Sequence, residues 1–399
     1  MPKVLRILNR INVGGPVFNV AYLSKYLQPE FETKILVGHI EDGEGDASYV
    51  LDELGLPFER VPSMHRSLHP IRDFKALLYI IKTINTYQPD ILHTHAAKAG
   101  ALGRFACLFV KKRPTVILHT YHGNVFDGYF SPLKTKIFLF IERFLAKISQ
   151  GIVSISNSQK NELSSKYGIA NLDKIKVIPL GFQLDKFLEN TKQKRDDLRA
   201  EFHVEEGTVL LVMTGRLTAI KNHKLFFDVL ANAKKQTNLS FKSLVVGNGE
   251  MYDELINYAS ALGLIIAESP INHSNYDILF TSWRKDIDHI NAGADIAVLT
   301  STNEGTPVSI IEAMAAGKAV ITTKVGGVED FIQNNINGIF VSKDNVGEFT
   351  DKLVELLESQ DFRETLGSNA IQSALRMFSY NRLISDMRNY YSELLNLKK

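Results

Sequence analysis

Cysteine occurs once in this 399-residue chain, at Cys107, which excludes an intrachain disulfide framework and points to a reducing compartment. Its expected role is packing. Tryptophan also occurs once, at Trp283. No apolar run approaches the ~20 residues that a membrane-spanning helix needs. The opening MPKVLRILNRINVGG has neither the long apolar core nor the small-residue cleavage site of a signal peptide. These absences lead to the expectation of a cytoplasmic protein. Net charge is close to absent as well, at +2, but it is unevenly spread. Residues 1–180 hold 23 Lys and Arg against 15 Asp and Glu, and residues 181–399 hold 23 against 29. A basic first half calls for an anionic partner. No nucleic-acid motif is present, so phospholipid or a lipid phosphate fits better than nucleic acid.

The length exceeds one ordinary core and predicts two domains of roughly 150 to 200 residues. With 45% apolar and 23% charged residues the composition is that of a globular protein. Apolar strands alternate with helical periodicity along both halves: VLRIL, TKILVGHI (33–40), PDILHTHAAKAG (89–100), TVILHTYHGNVF (115–126) and GIVSISNSQKNELSSKYGI (151–169), with helices over 71–87, 100–110 and 131–149. The fold class this predicts is α/β, with parallel sheets covered on both faces. Domain boundaries are expected at 1–182 and 183–376, followed by a C-terminal helix over 377–399. The charged run 191–202 reads as a link into the second domain, and 345–366 and 378–395 read as helices.

The most informative stretch is Thr300–Val320, TSTNEGTPVSIIEAMAAGKAV. Thr306 can cap, Pro307 suits the first helical position and Gly317 is a stop, which predicts a helix over 307–316. Free N–H groups at Val308 and Ser309 would favour a phosphate at its start. Glu312 sits in this helix among Ile310, Ile311, Ala313 and Met314. Either it marks a solvent face or hydroxyls or a cation must meet it, because an unpaired buried carboxylate costs several kcal/mol. Glu304, on the preceding loop, is placed to hold a ligand hydroxyl or to be an ordinary loop acid. Further back, VLLVMTGRLTAIKNHK delivers Gly215 and Arg216 at a strand end and Lys221 before a helix. An Arg fork and a Lys point charge there would clamp a diphosphate.

Two signatures, Glu304 to Glu312 with its Gly-Thr-Pro and Ala-Met-Ala-Ala-Gly, and Gly-Arg-Leu-x-x-x-Lys-Asn, resemble those of glycosyltransferase family 4 (group 1). The resemblance covers nearly the whole chain. It implies the GT-B fold: two Rossmann-like domains facing a central cleft, the first binding the acceptor and the second the nucleotide-sugar donor, with the last helix crossing back to the first. By matching position it implies that Glu312 holds the ribose, that Glu304, Gly305, Thr306 and Pro307 meet the sugar, and that Val308 and Ser309 contact phosphate. It further implies that Gly215, Arg216 and Lys221 stabilise the leaving diphosphate, that Gly15 contributes to that site, and that the turn Ser282, Trp283 and Arg284 holds the nucleobase. His122 corresponds to a histidine near the anomeric carbon; His95, which shares one side of its strand with His93, is read as structural or acceptor-side, and Lys98 as acceptor-side.

The activity implied is retaining transfer of a hexosyl or N-acetylhexosaminyl group, without a cofactor or a metal. HTHAAKAGALGR and HTYHGNVF resemble bacterial surface-polysaccharide transferases, which implies a UDP-sugar donor and a polyprenyl-diphosphate-linked saccharide acceptor; GDP-mannose is the competing donor. The basic segment from Lys98 to Lys147, with nine Lys and Arg against two acids, is expected to meet an anionic inner-leaflet surface or to be a solvated face. The family pattern breaks at Gln183, where an acid is usual, and before Glu329, where a proline is missing. Asp286 and Asp288 form Asp-x-Asp but fall in a predicted helix, where residues two apart diverge by about 200°. Gly247-Asn248-Gly249 lacks the third glycine of a dinucleotide fingerprint. An epimerase or phosphorylase of the same fold, or a non-catalytic nucleotide-sugar-binding protein, are the alternatives. The oligomeric state is not readable from the sequence.

Overall fold

A computed structural model describes residues 1–12, 14–41, 45–123 and 132–396. The expected strand-exit residues 124–126 and the start of the helix at Ser131 lie outside the described residues. The chain divides into two compact units, Met1–Phe182 with Phe378 onward, and Gln183–Met377.

The first unit is built on β1 (Lys3–Leu8), β2 (Glu32–Val37), β3 (Phe58–Arg60), β4 (Ile91–His95), β5 (Val116–Tyr121), β6 (Gly151–Ser154) and β7 (Ile175–Val177). They form one parallel sheet in the order β3-β2-β1-β4-β5-β6-β7. Runs such as VLRIL are buried throughout because helices cover both faces, as all-parallel sheets require. One cover is the final helix Tyr380–Asn396. Its apolar stripe, including Leu383, Met387, Tyr390 and Tyr391, packs with Val4, Ile91, Val116 and Leu118. Gly181 is needed there: a Cβ on it would lie 2.6 Å from the Leu383 Cβ.

The second unit repeats the architecture with β8 (Val209–Thr214), β9 (Phe241–Val246), β10 (Ile266–Glu268), β11 (Ile278–Ser282), β12 (Ile296–Leu299), β13 (Ala319–Thr323) and β14 (Ile339–Val341). The order is β10-β11-β9-β8-β12-β13-β14, again all parallel. The charged run read as a link is helix Thr191–Glu201, and it is part of this unit. Arg195 and Arg199 donate to the Gly293 carbonyl and reach Asp295, while Lys318 donates to the Ala292 carbonyl. These cations satisfy the end of helix Ile287–Gly293, where carbonyls lack intrahelical partners. The segment read as one helix over 345–366 is two, Val346–Glu358 and Gln360–Phe378. Ser359 breaks it by leaving the helical conformation and accepting from the Phe362 N–H through Oγ.

Among the described residues no helix is long and apolar enough to cross a membrane. Helix Pro132–Ile148 carries an unusual division of polarity: Glu142 faces inward while Phe140 is 73% exposed. Glu142 accepts a two-pronged pair from Arg104 Nη2 at 2.7 and 2.9 Å and a hydrogen bond from Tyr121. Burial opposes the Arg104 charge, but Glu142 and Tyr121 outweigh it and hold the guanidinium firmly protonated. Removing one partner strands the other in the core, so Glu142→Leu should destabilise the protein by about 3–5 kcal/mol. A lower melting temperature, with the double variant Arg104→Met/Glu142→Leu recovering part of the loss, is the expected outcome of thermal unfolding.

Candidate active site

In each sheet the chain order reverses near the middle, between β1 and β4 and between β8 and β12; in the second sheet β11 also inserts between β9 and the edge strand β10. The loops leaving the carboxyl ends of those strands diverge, and open α/β sheets bind ligands in the space this creates. In the second unit Gly215, Arg216 and Lys221 follow β8 and Glu304 follows β12. Lys221 Nζ donates to Glu304 Oε1 at 2.6 Å, and Ser301 Oγ donates to the same oxygen at 2.7 Å. The backbones are tied too: Thr300 Oγ1 donates to the Lys221 and Asn222 carbonyls, and Thr302 N to the Ile220 carbonyl. Gly215 leaves room for the lysine, since a Cβ would come within 3.3 Å of Lys221 Cε.

Gly326 supports the loop of Glu304 from the far side. Its φ of +53° is a left-handed conformation, and a Cβ there would collide with the Glu304 carbonyl. Gly327 N donates to the Gly305 carbonyl at 3.1 Å. Ser301 and Gly326 were not singled out as site residues from the sequence. The Gly326-Gly327 pair signals only a turn, and the approach to Glu304 depends on β13 lying beside β12. Glu329, whose place was in question, lies in the turn Gly326–Asp330 and pairs with Lys324 at 3.3 Å.

Helix Val308–Ala315 starts one residue later than expected. Pro307 is its cap, with an extended ψ of 102°, and no side chain caps it. Thr306 Oγ1 is instead buried without a hydrogen-bond partner. Glu312 is likewise not solvated freely: burial raises its pKa from 4.5 to about 7, against the pull of Lys186 and with a further push from Asp288. A hydroxyl arriving at Thr306 and a diol arriving at Glu312 would satisfy both groups.

Arg216 does not join the Lys221–Glu304 pair; it lies 3.3 Å from Glu250, with both side chains largely exposed. In the turn after β11, Ser282 has a φ of +58° and its carbonyl accepts from Gly247 N. Trp283 is 64% exposed rather than a core anchor. Arg284 turns away from it to chelate Glu201 and Asp286, whose hydrogen bonds raise the pKa of the guanidinium. Asp286 and Asp288 therefore have cationic partners, Asp288 pairing with Lys194 at 2.8 Å.

In the first unit Gly15 opens helix Gly15–Tyr26 after β1, close against the Leu180 side chain. His95, at the end of β4, and His122, just after β5, meet through Nδ1 and Nε2 at 2.9 Å. Lys98 is held by Asp73 at 2.5 Å and by the Ser67 carbonyl. Arg6, on which the sequence analysis was silent, is fully buried beside His93 and Tyr391. Only the packing of the last helix reveals it, since Tyr391 lies 385 residues away in the chain.

The raised pKa of Glu312 gives a signed pH dependence. The folded state holds the proton more tightly than the unfolded chain, so the contribution of Glu312 is most favourable below about pH 4.5 and is lost as pH rises through about 7. Glu312→Gln should therefore raise the melting temperature, with a gain that grows over this window, while ligand binding weakens. A gain independent of pH would contradict the assignment.

Residues 13–186 match Glycosyltransferase Family 4, and residues 194–373 match Glycosyl transferases group 1. The UDP-Gal:alpha-D-GlcNAc-diphosphoundecaprenol alpha-1,3-galactosyltransferase of Escherichia coli is 27% identical over 84% of this chain and 83% of its own length. The N,N'-diacetylbacillosaminyl-diphospho-undecaprenol alpha-1,3-N-acetylgalactosaminyltransferase of Campylobacter jejuni is 25% identical, over 82% and 83%. The crystal structure of Anabaena HepE in complex with UDP superimposes with a TM-score of 0.80 at 21% identity, covering 98% of this chain and 100% of that one. With both units matched in chain order and the two parallel sheets in place, the chain belongs to the family 4, group 1 glycosyltransferases of the GT-B fold.

Proposed function

We propose that this glycosyltransferase moves a hexosyl or N-acetylhexosaminyl group from a UDP-sugar to a saccharide carried on a polyprenyl diphosphate, with retention of configuration, in the assembly of a surface polysaccharide. The second unit is the donor-binding one and the first meets the acceptor. The observation that carries this reading is the Lys221–Glu304 pair at the point where the second sheet reverses its order. Both relatives named above act on undecaprenyl-diphosphate-linked sugars and form alpha-1,3 linkages. HepE supports the uridine nucleotide.

As the glycosidic bond to the donor breaks, negative charge grows on the departing diphosphate. Lys221 and Arg216 neutralise it, and the N–H groups at the start of helix Val308–Ala315 add a fixed positive dipole. Glu304 holds sugar hydroxyls, Glu312 the ribose diol, and Trp283 and Ser282 the base. The freed phosphate oxygen takes the acceptor proton on the same face of the sugar, which gives retention without a carboxylate nucleophile. With these cations supplying the charge, EDTA leaves turnover intact.

Removing such a charge typically costs about 10²–10³-fold in kcat. Lys221→Ala should show a loss of that size in a donor-to-lipid transfer assay, with a folded protein whose melting temperature falls only modestly as Glu304 loses its partner; full activity would sink the assignment. Calorimetry with UDP, GDP and ADP fixes the donor. Selective binding of GDP would replace the UDP-sugar by GDP-mannose.

A lipid-borne acceptor calls for a surface that meets the bilayer, and the first unit offers one. Helix Pro132–Ile148 exposes Leu133, Ile137, Phe140, Ile141 and Phe144, spaced 4, 3, 1 and 3 residues apart, so that they form one stripe. Neighbouring helix Ala97–Ala106 and its exit expose Phe105, Leu108 and Phe109, next to Lys111, Lys112 and Arg113. Apolar side chains rimmed by cations suit an anionic leaflet. The protein should sediment with phosphatidylglycerol vesicles and not with phosphatidylcholine ones, and Ile137→Glu/Phe140→Glu should abolish this; retained binding would rule out the face.

A further inference from the structure

The amino edge of the second sheet, opposite the Lys221–Glu304 pair, holds a cavity of about 450 Å³ whose charged lining is Arg195, Arg199, Lys318, Arg363, Asp295 and Glu364. Asp295 stands just before β12 and Lys318 just before β13, so the length of a strand separates this space from the carboxyl edge. Four cations meet two acids there, and both acids are already engaged. Asp295 Oδ1 accepts from Arg195 Nη2 at 2.7 Å, and its Oδ2 accepts from Arg199 Nη1 and from Leu210 N. Glu364 is exposed and accepts from Gln360 Nε2 at 2.8 Å.

The nearby carbonyls are occupied as well. Arg195 Nη1 donates to those of Gly293 and Ala294, Lys318 Nζ to that of Ala292, and Arg363 Nη1 to those of Leu356 and Leu357, at the ends of helices Ile287–Gly293 and Val346–Glu358. Donors nevertheless outnumber acceptors. An ammonium has three N–H groups and a guanidinium five, so Lys318 keeps two, Arg195 keeps Nε–H and one on Nη2, and Arg363 keeps Nε–H and both on Nη2. Arg195 Nε, Arg363 Nε and Arg363 Nη2 have no partner among the described residues and are not buried, which leaves them open to a ligand. The like charges also oppose one another. Burial, then Arg195, pushes the Lys318 pKa from 10.5 down to about 8, with Asp295 pulling it up and Arg199 adding to the fall. An arriving anion relieves that repulsion.

The spare donors come from helix Thr191–Glu201, from the residue before β13 and from helix Gln360–Phe378, three sources around one space. A phosphate monoester has a terminal oxygen for each, whereas a carboxylate has only two oxygens to offer. The cavity has room for an organic group beside the phosphate and lies in the size range of small-molecule sites. Beyond Arg195 and Arg199 a second hollow is lined by Asp196, Glu205 and Glu206, whose charges repel an anion and confine it to the Lys318 side. We propose that this cavity binds a small phosphorylated metabolite, held through its phosphate monoester by Arg195, Lys318 and Arg363 and separate from the candidate active site. The inference does not rest on the glycosyl-transfer reading.

Calorimetric titration of the full chain with sulfate and with glycerol phosphate, at constant ionic strength and about pH 8, where Lys318 titrates, tests it. Both probes should bind a site that survives Lys221→Ala. Arg363→Gln and Lys318→Met should each weaken that site about tenfold or more, the worth of a hydrogen bond to a charged group. Either variant, if folded, decides the outcome. Sulfate does not titrate at this pH, so its binding should carry part of a proton onto Lys318, read as a heat that varies with the ionisation enthalpy of the buffer and is lost in Lys318→Met. Absence of binding overturns the proposal, and so does a site that vanishes in Lys221→Ala yet persists in the other two variants, since that anion would lie at the candidate active site. Sulfate bound with glycerol phosphate refused overturns the ligand class. Binding without proton uptake takes Lys318 out of the site and overturns the arrangement.

Discussion

All strands of each sheet run the same way, and this constraint sets where chemistry is available. A parallel strand delivers its next residue to the same edge as its neighbours, and helices cover the faces, so polar groups gather at the carboxyl edge. Where the strand order reverses, neighbouring exits part and leave space. Lys221 and Glu304 stand on either side of the reversal in the second unit. In the first, His95 ends β4 at the reversal, and His122 stands one strand further along, beyond β5. The glycines fit the same constraint. At Gly326 the Glu304 backbone passes too closely for a Cβ, and at Gly215 the Lys221 side chain would have to shift to admit one.

The buried polar groups divide into those the protein satisfies itself and those it leaves open. Glu142 is met by Arg104 Nη2 and Tyr121, and Asp295 and the carbonyls around Gly293 by Arg195 and Arg199. Arg6 is met by neutral partners only, which makes it a source of positive potential inside the first unit. Among the described residues Thr306 Oγ1 and His122 Nδ1 find no partner, and Glu312 holds its proton to an unusually high pH. Leaving such groups unmatched destabilises a protein unless something arrives to complete them. Thr306, Glu312 and His122 lie at or beside the carboxyl edges of their sheets, and the Arg195–Arg199–Asp295 cluster lies at the opposite edge, just before β12.

Much of this was legible in the sequence because period and punctuation are local. The alternation of apolar strands with helices gave the doubly covered parallel sheets, and the order of the two signatures gave the family. What the sequence could not show depends on partners far along the chain. Helix Thr191–Glu201 looks like a solvated linker until Asp295 is placed beside it, a hundred residues on. The break at Ser359 hides because serine is compatible with a helix interior as well as with a cap. The exposure of Trp283 is not readable from its type, since tryptophan is usually well buried, and only the turn shows it open. In helix Pro132–Ile148 the periodicity reveals an apolar stripe but not its direction. Glu142 decides it, since the buried acid turns Phe140 and Phe144 outward.

The Lys221–Glu304 contact joins the electrostatics to the proposed reaction. In the free protein the carboxylate neutralises the lysine, with Ser301 holding it in place, so that neither charge waits unpaired in a site where only a fifth or less of each side chain is exposed. A diphosphate entering beside Lys221 brings up to two negative charges and competes for the same three N–H donors. On the proposed reading Glu304 would then be released to accept from sugar hydroxyls, while the lysine would keep a counter-charge throughout. The pair offsets the cost of holding either charge in the site before a ligand arrives, and a phosphate would replace one ion pair by another. A donor lacking the diphosphate would have to break the pair without replacing it, whereas a free nucleoside diphosphate would keep the lysine occupied and leave Glu304 unmatched. In the proposed reaction only the complete nucleotide sugar would satisfy both partners at once, and recognition of phosphate and of sugar would then share a single contact.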